Sequence, residues 1–215
     1  MTIGQRHNPL WLDARQWRIT SSNFGRVCNR AFRRLYPPSL VKSLLGDYGI
    51  PHTAALRWGC DHESNAIHQY IQQSGAQVEE CGVYLSVEFP YLATSPDGII
   101  PLANGKFGVV EVKCPYKHRN NSIEVACKDP AFCLFRNTEN GQISLNRRHD
   151  YYFQVTGQIA LTGAEFCDFV VWTDVDIHIE RIMFDVELWT DMKDKLSHFY
   201  FSTLGVEALD RLCNM

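Results

Sequence analysis

The sequence lacks the features that would settle its class at once. No uninterrupted apolar run approaches the ~18 residues a membrane span requires, and the opening MTIGQRHNPLWLDARQW has no apolar core of a signal peptide. The expectation is an intracellular protein without membrane contact, with nucleus and cytoplasm not distinguished. Basic charge is not in excess either, since 21 Lys and Arg stand against 24 Asp and Glu, a net charge of −3. A polyanionic partner would have to meet a local cluster of positive groups and not the surface as a whole. Eight cysteines occur without one C-x-x-C pair, which excludes a zinc ribbon and a disulfide-dense small scaffold. They read as reduced thiols, mostly in the core. His62 and His68 have no Cys or His partner at ligand spacing, so a zinc site is not indicated. No internal repeat and no low-complexity tract is visible.

What is present is apolar material, 45% of 215 residues, enough for a sizeable core in one large domain. The first third predicts short helices in PLWLDARQW, TSSNFGRVCNRAF (opened by hydroxyl residues able to cap) and PSLVKSLLGDYG. A longer helix is predicted from about Thr53 to Ser74, with Leu56, Cys60, Ile67, Tyr70 and Ile71 on one apolar stripe and Gly75 as terminator. Glu63 falls on that stripe. From Gln77 the period shifts towards two, and QVEECGVYLSV, LATSPDGII and KFGVVEVKC read as strands separated by turn signals. Between Pro115 and Asp150 the pattern loosens, predicting a partly helical, mobile excursion. DYYFQVTGQIALTG then has helical spacing, CDFVVWT and IHIERIMF read as strands, and the remainder returns to helix. The order predicts an α/β fold with a mixed sheet and a helical N-terminal part.

In VVEVKC, alternation puts Val110, Val112 and Cys114 on one face and Glu111 with Lys113 on the other, where they must meet water, a metal or a substrate. A hairpin starting at the SPDG turn would bring the Asp97 carboxylate beside Glu111. Hard oxygens from Asp97 and Glu111, with the Val112 carbonyl between, suit Mg²⁺ or its substitute Mn²⁺, and Lys113 can position water or balance a phosphate. Glu63 would be costly to bury unpaired, so it is expected to face the metal directly or through water. Taken singly, each feature is commoner as turn chemistry or a solvated strand face; the conjunction carries the reading.

SPDG followed by EVK, with WGCDHESNAIHQY before and YYFQVTGQIALTGAEFCDFVVWT after, resembles the YqaJ-type viral recombinase family of the lambda-exonuclease-like PD-(D/E)XK nucleases, over roughly Leu10 to Thr173. The resemblance implies a restriction-endonuclease-like core with a mixed central sheet flanked by helices. Joined with the order of predicted elements, the expectation is one nuclease domain, 1–215, with a helical N-terminal part to about 50, a core over about 51–185 and C-terminal helices over about 186–215. By resemblance Glu63, Asp97, Glu111 and Lys113 are the acidic helix residue, the two metal-binding carboxylates and the catalytic lysine. ARQWRITSSNFG resembles the element whose arginine and serine hold a terminal 5′-phosphate, which assigns that role to Arg15 and Ser22. Where the family reads Q-V-Q-G-Q this chain reads QVTGQ, so Thr156 replaces the usual active-site glutamine, and either Gln154 or Gln158 is open as its substitute. The implied activity is a magnesium-dependent 5′→3′ exonuclease on double-stranded DNA ends, serving recombination, repair or viral DNA processing. An endonuclease with the same metal site and a DNA-binding module of a recombination complex are the alternatives. The resemblance also allows a homotrimer encircling DNA and a single-strand annealing protein as partner.

Overall fold

The computed structural model describes residues 2–31, 36–49 and 53–214, so Phe32, at the end of one predicted helix, lies outside the described residues. At the N-terminus Asn8 caps helix α1 (Pro9–Arg15), its side chain accepting from the Leu10 N–H, with Pro9 supplying the fixed φ of a first helical position. A two-residue strand β1 (Ile19–Thr20) leads to α2 (Phe24–Ala31) and α3 (Pro38–Leu44). The hydroxyl residues expected to cap α2 lead into a separate 3₁₀ turn, Ser21–Asn23, in which the Ser22 and Asn23 side chains bond Thr20 Oγ1 and Ser21 bonds Thr94 instead. Short polar side chains readily prefer such local partners.

The long helix α4 (Ala54–Ser74) starts and stops where the sequence indicates: Thr53 accepts from the Leu56 N–H, and Gly75 ends it at φ 68°, a conformation that favours glycine. β2 (Tyr84–Leu85) is far shorter than the strand predicted across Gln77–Val87. It pairs antiparallel with β3 (Leu92–Thr94), to which β1 adds in parallel. The main sheet follows, with β4 (Gly98–Pro101) and β5 (Phe107–Lys113) forming an antiparallel hairpin.

The excursion after Pro115 is more ordered in architecture than its composition indicates. It holds a short helix α5 (Ile123–Ala126) and a hairpin of β6 (Leu134–Arg136) with β7 (Ile143–Leu145). Ile123, Ala126, Phe132, Cys133, Leu134 and Leu145 enter one hydrophobic cluster from this segment. These apolar residues are too sparse to show a period, yet tertiary packing collects them. Helix α6 (Asp150–Thr162) then crosses to β8 (Phe166–Trp172), parallel to β5, and β9 (Ile177–Met183) closes the sheet in the order β4-β5-β8-β9. Helix α7 (Val186–Phe199) runs through a π-helical segment, Tyr200–Leu204, into α8 (Gly205–Cys213).

Alternation along β5 and β8 builds a three-layer arrangement. Val109, Phe169 and Val171 pack with Val155 and Ile159 of α6 on one face, while Val110, Val112 and Val170 pack with Ala66 and Tyr70 of α4 on the other. A third cluster joins α2 and α3 to α7 through Phe24, Val27, Leu40, Met192 and Leu196. Phe169, fully buried at the sheet centre, is a residue whose truncation to Ala costs about 3–5 kcal/mol. Tyr70 fixes α4 on the sheet through a 2.6 Å hydrogen bond to Asp168, which Arg181 holds at 2.8 Å from each carboxylate oxygen. No described helix is long and apolar enough to cross a membrane.

Candidate active site

The β4–β5 register pairs Gly98 with Val110, so Asp97, one residue earlier, stands opposite Glu111. The Asp97 N–H donates to the Val110 carbonyl at 3.0 Å, and its Oδ2 accepts from the Val112 N–H at 2.7 Å. Gly98 is required for this approach, since a Cβ there would lie 2.4 Å from the Val78 side chain.

Glu111 points towards α6 and is 3% exposed. On this face the carboxylate meets side-chain amides as well as the cavity. Gln154 Nε2 donates to Oε1 at 2.6 Å and Gln158 Nε2 donates to Oε2 at 2.5 Å. Spacing of four on α6 puts both glutamines on one face, so neither has to be chosen over the other. Thr156 carries the replaced family position and is buried with no hydrogen-bond partner for its hydroxyl among the described residues.

Lys113 Nζ lies 2.5 Å from Glu111 Oε1 and 4.5 Å from the centre of the Tyr151 ring. Burial alone would depress the ammonium, but the negative charge of Glu111, with Asp97 behind it, outweighs burial and holds Lys113 above its ordinary range. Asp97 is driven well above the usual carboxylate range, first by burial and then by the charges of Glu111 and Glu63, which Lys113 and the Val112 N–H only partly offset.

Glu63, Asp97, Glu111, Val112 and Lys113 all line one cavity of about 550 Å³. Leu56 and Cys60 line it too, and Leu56 is 43% exposed, so this end of the stripe faces the cleft. Only the later part of that stripe, Tyr70 with Ile67 and Ile71, packs on the sheet. Glu63 therefore sits where the stripe leaves the core and enters the cleft. The opposite wall carries Tyr116, Lys117, Asp129, His149 and Tyr151. Sequence reasoning missed Tyr151, although it falls one turn before Gln154 on the same face of α6, a spacing that could have found it.

Arg15 and Ser22 are not among the residues lining this cavity. The Arg15 guanidinium lies 4.0 Å from the centre of the Trp11 ring, and burial pulls it down to about 10 while Glu111 opposes the shift. It stays charged at neutral pH. Trp11 Nε1 donates to Ser95 Oγ at 2.9 Å, which ties α1 to the segment just before Asp97. Ser22 is exposed, its hydroxyl 3.2 Å from Thr20 Oγ1.

Among the described residues, no group of three or more His, Cys, Asp or Glu side chains is arranged as a metal cage. The donor set still fits a hard cation. Magnesium binds through one or two carboxylates and retains water, and Asp97 offers a carboxylate whose charged form burial, Glu111 and Glu63 disfavour and a bound cation would stabilise.

The YqaJ-like viral recombinase domain matches residues 10–165. The alkaline nuclease of Autographa californica nuclear polyhedrosis virus is 31% identical over 124 residues, covering 57% of this chain and 28% of that protein. That of Orgyia pseudotsugata multicapsid polyhedrosis virus is 25% identical over 189 residues, covering 79% of this chain and 41% of its own length. The chain thus spans less than half the length of these curated relatives. Among solved structures, the alkaline exonuclease LHK-Exo of Laribacter hongkongensis, in its complex with dAMP, is 25% identical with a TM-score of 0.69 over 95% of this chain and 97% of that one.

Proposed function

The chain belongs to the YqaJ-like viral recombinase domain family, and from that membership we propose that it is a metal-dependent deoxyribonuclease degrading duplex DNA from 5′ ends. The observation that supports this most is the meeting of Asp97, Glu111 and Lys113 with Glu63 in one cavity. Asp97, Glu111 and the Val112 carbonyl, with Glu63 directly or through water, would hold Mg²⁺, or Mn²⁺ in its place, which when bound supplies charge stabilisation at the phosphate and a more acidic water. The chain's own groups do the rest. Gln154 and Gln158 hold the Glu111 carboxylate in one orientation, and Glu111 with the Tyr151 ring holds the Lys113 ammonium. Lys113 hydrogen-bonds the attacking water or a non-bridging phosphate oxygen and offsets negative charge as it builds there.

Arg15 and Ser22 receive the terminal 5′-phosphate in this reading, since guanidinium and hydroxyl donors suit a doubly charged monoester. Residues 1–215 act as one nuclease domain. The assembly that suits the activity is a ring of three copies around the duplex, with a single-strand annealing protein taking up the strand left behind, in recombination, repair or viral DNA processing.

The test uses end-labelled linear duplex with 5′-phosphate or 5′-hydroxyl ends and a closed circle, each with Mg²⁺ or EDTA. Linear DNA is expected to be degraded only with Mg²⁺, phosphorylated ends faster by about ten- to a hundredfold, from ~1.5–3 kcal/mol for charge-assisted contacts. Arg15→Ala is expected to erase that preference. Rapid nicking of the circle with equal rates on both ends would replace this reading by an endonuclease.

A further inference from the structure

Directly beyond the catalytic strand, an aromatic array reaches the cleft through Tyr116. Tyr116, 36% exposed, follows Lys113 by three residues and lines the cavity. The Arg119 guanidinium lies 4.2 Å from the centre of its ring. Trp58 of α4 meets Tyr116 edge-on at 6.2 Å and stacks on His62 at 3.6 Å, and His62 in turn stacks on Trp172 at 5.5 Å. His62 is the residue before Glu63, so the array is fastened to the same turn of α4 that delivers a carboxylate to the cleft.

We propose that Tyr116, braced by Arg119 and Trp58, is a stacking seat for one unpaired nucleobase of the strand being cut. This rests on the nuclease reading and adds to it a requirement for at least one unpaired base beside the reacting phosphate. A base inside a duplex has both faces covered by its neighbours, whereas an unpaired base offers a free π-face to an aromatic ring and its phosphate to the adjacent guanidinium. Arg119 Nη1 donates to the Tyr116 carbonyl at 2.7 Å, which fixes the guanidinium beside the ring, while packing alone needs no exposed tyrosine in the cleft.

The test needs no hydrolysis. With EDTA present, the full chain is titrated into oligonucleotides carrying 2-aminopurine near the 5′ end of a single strand, in an unpaired overhang, or at the centre of a long duplex away from either end. Quenching by the protein is expected in the first two and not in the third. Tyr116→Ala, and Tyr116→Leu, which keeps bulk without the π-face, should lose the quenching and weaken single-strand binding on the order of tenfold, within the range of one base–aromatic stack. Tyr116→Phe should retain both. Undiminished quenching and affinity in folded Tyr116→Ala and Tyr116→Leu would make the array simple packing and overturn the proposal. A chain that quenches the probe but never degrades linear duplex with Mg²⁺ would lose the nuclease reading and keep the base seat.

Discussion

Two carboxylates face each other across the β4–β5 hairpin, and their surroundings differ sharply. Glu111, on the α6 side, is enclosed: two glutamine amides and one lysine engage its oxygens and leave it 3% exposed. Asp97 has one backbone N–H on its carboxylate, lines an open cavity, and feels the charges of Glu111 and Glu63. The enclosed side is finished by the protein itself, so it can orient the lysine before any ligand arrives. On the other side burial first, and then Glu111 and Glu63, disfavour the charged carboxylate, a cost that a bound cation would relieve. Orientation and reception are thus divided between the two flanks of one strand.

Removing the open carboxylate should have the largest effect. Asp97→Ala is expected to lower hydrolysis of linear duplex by about a thousandfold or more, because a cation holding the phosphate contributes several kcal/mol at the transition state. Retained DNA binding should show that the fold survives. Turnover within a few-fold of the parent would end the division of roles.

Damage to the enclosed side should be milder. Gln158 is fully buried, and Gln158→Leu leaves Glu111 Oε2 without its donor. Loss of a group that orients a metal-binding carboxylate typically lowers activity or metal affinity about 10–100-fold. Stability should fall by about 1–3 kcal/mol from the unsatisfied oxygen. Unchanged Mn²⁺ affinity by calorimetry together with unchanged turnover would mean that Gln154 and Lys113 hold Glu111 unaided.

The same contrast explains what could be read from the sequence. Alternation in VVEVK and the SPDG turn placed Asp97, Glu111 and Lys113 together, because strand period and turn chemistry are local rules. The two glutamines could be put on one helix face but not ranked, since their shared target, Glu111, belongs to another element. The Leu56–Ile71 stripe was interrupted by Glu63, but the sequence could not show where core ends and cleft begins, because that depends on how far the sheet extends beneath α4. The β6–β7 hairpin was unreadable for a similar reason: its apolar residues are scattered and meaningful only against α6 and β8. Arg15 was named by motif, while the contact that ties its helix to the segment before Asp97, Trp11 to Ser95, joins residues 84 positions apart.

A neutral isostere at Asp97 should reveal the cost of a charge there, set by burial first and by repulsion from Glu111 and Glu63 next. The folded state raises Asp97 above its value in the unfolded chain, so the folded protein holds the proton over a pH range where the unfolded chain has released it. Stability from this group is complete below the unfolded value near 3.8 and declines as pH rises towards the folded value. Asp97→Asn, while inactive, should therefore melt higher than the parent at neutral and alkaline pH. The gain should be about 2–4 °C for each kcal/mol of that cost removed, and should vanish as pH approaches the acid end. Millimolar Mn²⁺ should raise the parent and not the variant. A melting point for Asp97→Asn equal to the parent's at pH 8 would mean that Lys113 already balances the pair.

The smallest effect belongs to the side of α6 that faces neither carboxylate. Thr156 lies two residues from each glutamine, a rotation of about 200° around the helix, and therefore points away from Glu111. It is 1% exposed and its hydroxyl finds no partner among the described residues. A buried hydroxyl without a hydrogen bond loses hydration and recovers nothing, whereas a methyl group of the same shape has no hydration to lose. Thr156→Val should accordingly stabilise the chain by about 1 kcal/mol, since helix propensities of Thr and Val are close and the volume is unchanged. Turnover should stay at the parent's level, because the helix face holding Glu111 is untouched. Thr156→Gln, which restores the residue of the resembling family, should instead lose about 1–3 kcal/mol by overpacking a site shaped for threonine. A drop in stability for Thr156→Val would show that a water bonds the hydroxyl, and a drop in turnover would show that the two faces of α6 are coupled after all.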